Sequence, residues 1–121
     1  MDKNGWTAFD GAELEKGACL YGCILLWHVY RGAVSEAWEA RRATPMYTHW
    51  MAMPRRGWIA SAQRLPTAED GDVQNCVLAR HAFDGIQVTG WRRFHHDTAL
   101  THWMRMPDPP KEAEKYKERF L

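Results

Sequence analysis

Thr48-His49-Trp50-Met51-Ala52-Met53-Pro54 returns as Thr101-His102-Trp103-Met104-Arg105-Met106-Pro107, 53 residues further on. Holding that offset and walking backwards, Trp38 falls on Trp91, Gly32 on Gly85, His28 on His81, Leu25 on Leu78 and Cys23 on Cys76. From Cys23 to Pro54 the match needs no gap, and 11 of 32 positions are identical. Several of those are Trp and His, rare residue types that chance seldom repeats in register. Before this block the offset drops to 52, with Gly5-Trp6 on Gly57-Trp58 and Ala8 on Ala60. A tandem duplication of a unit of about fifty residues accounts for this pattern.

The second copy shows what each unit builds. Cys76 to Ala82 is a strand-like apolar run, and Asp84-Gly85 after it is a hairpin turn signal. Ile86 to Trp91 is rich in β-branched and aromatic residues, and His95-His96-Asp97-Thr98 is a polar loop. Ala99 to Met106 alternates, with Leu100, His102, Met104 and Met106 on one face and Thr101, Trp103 and Arg105 on the other. The first copy repeats this as Gly22 to Tyr30, a turn at Arg31-Gly32, Ala33 to Ala40, a loop at Arg41 to Pro45, and Met46 to Met53. Each unit is therefore expected to be a three-stranded antiparallel meander, preceded by a short Gly-Trp segment and an acidic loop. One such meander is marginal alone. The expected fold is all-β, two meanders packed about a pseudo-two-fold axis in one compact domain. The repeats are placed at 1–54 and 57–110. Asp108-Pro-Pro110 then precedes a short C-terminal helix at 111–121, docked by Tyr116, Phe120 and Leu121.

Composition narrows the function. The chain has 121 residues, 45% hydrophobic and 26% charged, with seven Trp, four Phe and four Tyr, so disorder is excluded. The longest apolar run, Cys23 to Trp27, is too short for a transmembrane helix, and no secretory signal is expected at the start. Three Cys do not make a disulfide framework, so a reducing cytoplasm, that of a host cell, is the expected location. A formal net charge of +1 argues against nucleic-acid binding, although residues 31–64 carry six Arg against two Glu. The acidic patches at Asp10 to Glu15 and Glu69 to Asp72 are short enough to be solvated loops.

The second copy resembles a small phage and prophage family, the domain-of-unknown-function 551 family. The residues that carry the resemblance are Trp58-Ile59, Arg64-Leu65-Pro66, Gly71, Val77-Leu78, Trp91 and the closing Thr101-His102-Trp103-Met104-Arg105-Met106-Pro107-Asp108-Pro109-Pro110. It covers about 57–110. The first copy keeps Trp6, Trp38 and Thr48 to Met51 but has no Arg-Leu-Pro between Phe9 and Gly17. The resemblance implies a phage or prophage origin and carries no activity or catalytic residues.

The candidate ligand-binding residues, Arg105 excepted, recur in both copies. Trp38, Trp50, Trp91 and Trp103 are either stacking platforms or structural tryptophans. His49 and His102 are either core histidines or a matched pair for a shared pocket. Arg41-Arg42 and Arg92-Arg93 lie in the stretch joining the second and third strands, and Arg105 follows the closing motif. Arginine forks bind phosphate and carboxylate bidentately. Ten Arg and no Lys stand between Arg31 and Arg105, which also fits a GC-rich coding bias. Cys19, Cys23, His28 and the adjacent His95-His96 match no zinc spacing, and neither a metal nor another cofactor is expected. His95-His96-Asp97 is the one acid–base candidate, but Arg42-Ala43-Thr44 replaces it in the first copy, so no enzyme is expected. The expected role is a non-enzymatic, anti-defence phage protein that sequesters a nucleotide-type small molecule, bound between subdomains or between protomers of a homo-oligomer. The alternative is a protein-binding inhibitor of a host defence complex.

Overall fold

The computed structural model describes residues 1–9 and 16–120, the side chains of 16 and 41–43 excepted. The predicted docking residue Leu121 and the acidic stretch 10–15 lie outside the described residues. The protein is mostly β, with two four-stranded antiparallel sheets and one short C-terminal helix. Two compact units form, Met1–Met53 with Pro107–Leu121, and Pro54–Met106. The first holds β1 (Thr7–Ala8), β2 (Cys23–His28), β3 (Gly32–Ala37) and β4 (Tyr47–Met51) in the order β1-β4-β2-β3. The second holds β5 (Ile59–Ala60), β6 (Cys76–His81), β7 (Gly85–Gly90) and β8 (Leu100–Arg105) in the order β5-β8-β6-β7. No helix among the described residues is long and apolar enough to cross a membrane.

The predicted three-stranded meander needs correcting on two counts. A fourth strand is present in each unit, because the Gly-Trp segment continues into two residues that pair with β4 or β8. The strand order also departs from chain order. β2 lies between β3 and β4, and β6 lies between β7 and β8. Burial explains the choice. Ile24, Leu25 and Leu26 are fully buried, as are Val77, Leu78 and Ala79, so these runs are apolar towards both faces and belong in the sheet centre. β3 and β7 are only partly buried and take the edge.

With β2 in the middle, the link from β3 to β4 must cross the sheet. A wholly polar loop has nothing to bury there. Instead the link forms a 3-10 helix, Trp38–Ala43 in one unit and Trp91–His95 in the other. Trp38 and Ala40 pack onto Ile24 and Leu26, and Trp91 and Phe94 pack with Val77 and Ala79. So the strand predicted to reach Ala40 ends at Ala37, and Trp91 opens a helix rather than closing a strand.

The repeat extends to register. Cys23 pairs with Ala37 and His28 with Gly32, while Cys76 pairs with Gly90 and His81 with Gly85. Each third strand skips its Thr: Trp27 faces His49 but His28 faces Tyr47, and Arg80 faces His102 but His81 faces Leu100. This irregularity corrects the predicted parity of Ala99 to Met106. An extra residue in a bulged strand resets which side chains share a face, and Leu100 joins Trp103 in the core instead of opposing it.

The tight hairpins are built alike. His28 Nδ1 accepts the amides of Tyr30 and Arg31, both at 3.2 Å, and His81 Nδ1 accepts those of Phe83 at 3.1 Å and Asp84 at 3.2 Å. Gly32 and Gly85 close these turns at φ 78° and 76°, where a Cβ is penalised.

The end of the chain packs with the first unit, so residues 107–110, assigned from sequence to the second repeat, belong structurally with the first. Trp6 Nε1–H donates to Asp108 O at 2.7 Å, Asn4 Nδ2–H to Pro109 O at 2.8 Å, and the Lys111 amide to Asp2 Oδ2 at 3.2 Å. Helix α1 (Ala113–Lys117) then brings Tyr116 edge-on to His49, with ring centroids 4.5 Å apart, as expected of a docking residue. Phe120 contributes through its backbone, whose carbonyl accepts the Tyr30 hydroxyl at 3.1 Å.

Candidate functional site

The aromatic candidates divide by depth. Trp103 is fully buried, donates its indole N–H to Arg64 O at 2.8 Å, and has the Arg64 guanidinium 4.7 Å above its ring. With no exposed surface it is a core residue. Trp50, its counterpart, is half-buried and packs with Ile24 and Leu26. Trp38 and Trp91 are half-buried on the crossover helices.

Among the described side chains the basic candidates do not converge. Arg41 and Arg42 sit on a crossover helix, with side chains outside the described residues. Arg92 is exposed, its guanidinium 5.2 Å over the Trp91 ring. Arg93 is tied to Gln87 Oε1 at 3.0 Å and Asp97 Oδ2 at 3.1 Å. His49 is buried and shares a 2.8 Å hydrogen bond with the Thr48 hydroxyl; His102 repeats this with Thr101 at 3.0 Å and is half-buried.

Arg105 belongs to a charged cluster centred on a buried carboxylate, Asp70, which the sequence did not single out. Asp70 is 3% exposed. Arg64 Nη1 and Nη2 donate to its two oxygens at 3.0 and 3.3 Å, and Arg105 Nε and Nη2 donate to Oδ1 at 3.2 and 3.1 Å. The Thr67 amide and hydroxyl add bonds of 2.8 and 3.1 Å to Oδ2. Arg64 foremost, with the Thr67 and Arg105 donors, outweighs the cost of burial and holds Asp70 well below the usual carboxylate range. Two signals stood in the sequence. Thr67-x-x-Asp70 spells a capping box, and Arg64 opens the Arg-Leu-Pro triplet.

A cavity of about 560 Å³ lies in the first unit. The tail meets the first residues of the chain there. Its rings are Trp6, His49 and Tyr116, its ammonium groups Lys3 and Lys111, and Thr7 adds a hydroxyl. Of its carboxylates, Asp2 is already committed: Oδ1 accepts the amides of Asn4 and Trp6 at 2.8 and 3.0 Å, and Oδ2 accepts that of Lys111. Burial opposes the charge of Asp2, yet these amides outweigh it and the pKa falls. Glu112 remains on the rim. Of the predicted residues only His49 lines this cavity. Lys3, Lys111 and Tyr116 were missed because each stands outside the repeated block.

Groups suited to chemistry are held in structural roles. Burial, with Cys23 and Glu39 nearby, pushes the Cys19 thiol up, and burial with Asp72 does the same to Cys76, the reverse of nucleophile activation. His95 Nε2 donates to Pro66 O at 3.1 Å. The Ala99 amide first, and Arg93 after it, hold Asp97 below the carboxylate range. No group of three or more potential metal ligands occurs among the described residues. No family model, curated protein or solved structure matches the chain.

Proposed function

We propose that the protein captures a nucleotide-type small molecule without turning it over, and that the cavity of the first unit is where it does so. In this reading it is a phage or prophage accessory protein acting by stoichiometric sequestration of a host-defence signal. The observation that carries the reading is the composition of that cavity. Its volume of about 560 Å³ lies within the range of small-molecule sites. The half-buried ring of Tyr116, beside the buried rings of Trp6 and His49, suits a flat base, Lys3 and Lys111 suit phosphate, and the carboxylate of Asp2 is spent on backbone amides. Tyr116 is brought to the cavity by the short C-terminal helix.

Titration calorimetry against cyclic nucleotides and ADP-ribose-type nucleotides tests the proposal. One member is expected to bind at one per chain, and Tyr116→Ala and Lys111→Gln to weaken it at least tenfold. Affinity no tighter than high micromolar across the panel removes the reading, because sequestration requires tight binding.

One observation favours a second reading, inhibition of a host-defence protein. Both hairpin tips present an aromatic at the same repeat position, Tyr30 at 46% and Phe83 at 86% exposure. Exposed aromatics are the residue type of interface hot spots. In this reading Phe83→Ala releases a stoichiometric protein partner, whereas capture of a nucleotide is unaffected by it.

A further inference from the structure

The unit Pro54–Met106 has a hollow of its own, about 310 Å³, lined by Gly57, Ile59, Arg64, Trp103, Met104 and Arg105. Its walls are apolar apart from two guanidinium groups. Both are held by the same buried carboxylate, and both remain open to solvent, Arg64 at 49% and Arg105 at 68% of the side chain against 1% for Asp70. Two positive charges face one negative charge. Each fork keeps N–H donors beyond the two it gives to Asp70.

Stability alone is a poor account of this arrangement. Buried ion pairs and triads are commonly replaced by apolar residues at no cost. Arg64 already reaches both oxygens of Asp70, so Arg105 is surplus to satisfying it. What the cluster does accomplish is orientation. Thr67 fixes Asp70, Asp70 fixes both forks, and Arg64 is further held over Trp103. Side chains locked by a supporting layer of hydrogen bonds lose little entropy when a ligand arrives.

We infer that this hollow is a second binding site, for a small oxyanion on a short apolar stem, with Arg64 and Arg105 engaging the anion through their forks and Ile59 and Met104 contacting the stem. The shared chemistry is a planar pair of acceptor oxygens, supplied by either a phosphate ester or a carboxylate. No residue of the first unit's cavity takes part, so either site can fail while the other stands.

The full chain, titrated with phenyl phosphate and separately with benzoate, tests this through the arginine Nε–H signals in NMR spectra. The Arg64 and Arg105 signals are expected to shift saturably with at least one probe, while Arg92 stays in place. The effective probe identifies the anion. Arg105→Gln and Arg105→Lys are both expected to weaken binding at least tenfold, since an ammonium is a point charge and not a fork. Arg64 still holds Asp70 in these variants, and an unchanged amide spectrum confirms the fold. Failure of both probes to give saturable shifts overturns the inference, as does an Arg105→Lys variant that binds like the parent.

Discussion

In the unit Pro54–Met106 the first tryptophan, Trp58, donates to Pro54 O only four residues back, and its ring neighbour is Arg80, 5.9 Å away. In the other unit Trp6 reaches Asp108 O, 102 residues on, and its ring neighbour is Trp27 at 5.7 Å. The register positions are the same and the chemistry differs. The same holds for the third strand: Trp103 Nε1 has Arg64 O, while Trp50 Nε1 is buried without a partner among the described residues. The residues that the copies share build the backbone: the skipped Thr, the turn-capping His, the hairpin Gly and the crossover Trp. The charged groups at the two hollows are unshared, Lys3 and Lys111 in one unit and Arg64, Asp70 and Arg105 in the other, and so is Tyr116, while Trp6 and His49 recur. On the functional proposal made above, repetition marks scaffold and the charged groups that engage a ligand are divergent.

The sharpest way to break this comparison is to truncate the matched tryptophans. Trp103→Ala is expected to cost about 3–5 kcal/mol in urea unfolding, because the ring is fully buried. Trp50→Ala, half-buried, should cost about 2 kcal/mol. Equal losses would mean that the units do not differ in core depth.

Next comes Asp70→Asn, expected to cost about 1–2 kcal/mol because a neutral amide at this buried position accepts more weakly from Arg64, Thr67 and Arg105. Hydrogen exchange should quicken in β5, β6 and β8 and leave β1 to β4 unchanged. Acceleration in both sheets would show that this brace is not private to its unit.

A smaller effect separates the units by pH. Burial first, and Arg31 second, lower the His28 pKa below its ordinary 6.5. The unfolded chain then takes up the proton more readily, so this contribution is intact above pH 6.5 and is lost as pH falls towards the folded value. Asp70, also lowered, keeps its contribution above its ordinary 3.8 and loses it only below. Protection factors in the β2–β3 hairpin should therefore fall as pH drops below 6.5, before the Asp70 region responds, and His28→Ala should abolish that first step. Simultaneous loss in both units would contradict the assignment.

Much of the fold was legible in the sequence. The offset of 53 located both copies, Asp84-Gly85 marked a turn, and the C-terminal helix was read from its Pro-Pro and Glu. The strand order was harder to read. β1 and β5 are two residues long, too short for any alternation to register. The crossover helices lack a side-chain cap, since Ala37 and Gly90 stand at their N-caps, so the usual Ser, Thr, Asp or Asn start signal is missing. The skipped Thr inverts the parity of Leu100, which strict alternation places on the wrong face. The cavity of the first unit was legible least, because the candidate residues were chosen mostly for recurring, whereas Lys3, Lys111 and Tyr116 stand outside the repeated block.

The direct test of this view is a residue-resolved map of where ADP-ribose perturbs the full chain in amide NMR spectra. Shifts gathered at Lys3, Thr7, His49, Lys111 and Tyr116 are the predicted result. Shifts gathered instead on the recurring Trp38, Trp91 and Arg92-Arg93 would contradict it, and place recognition on the very residues assigned here to scaffold.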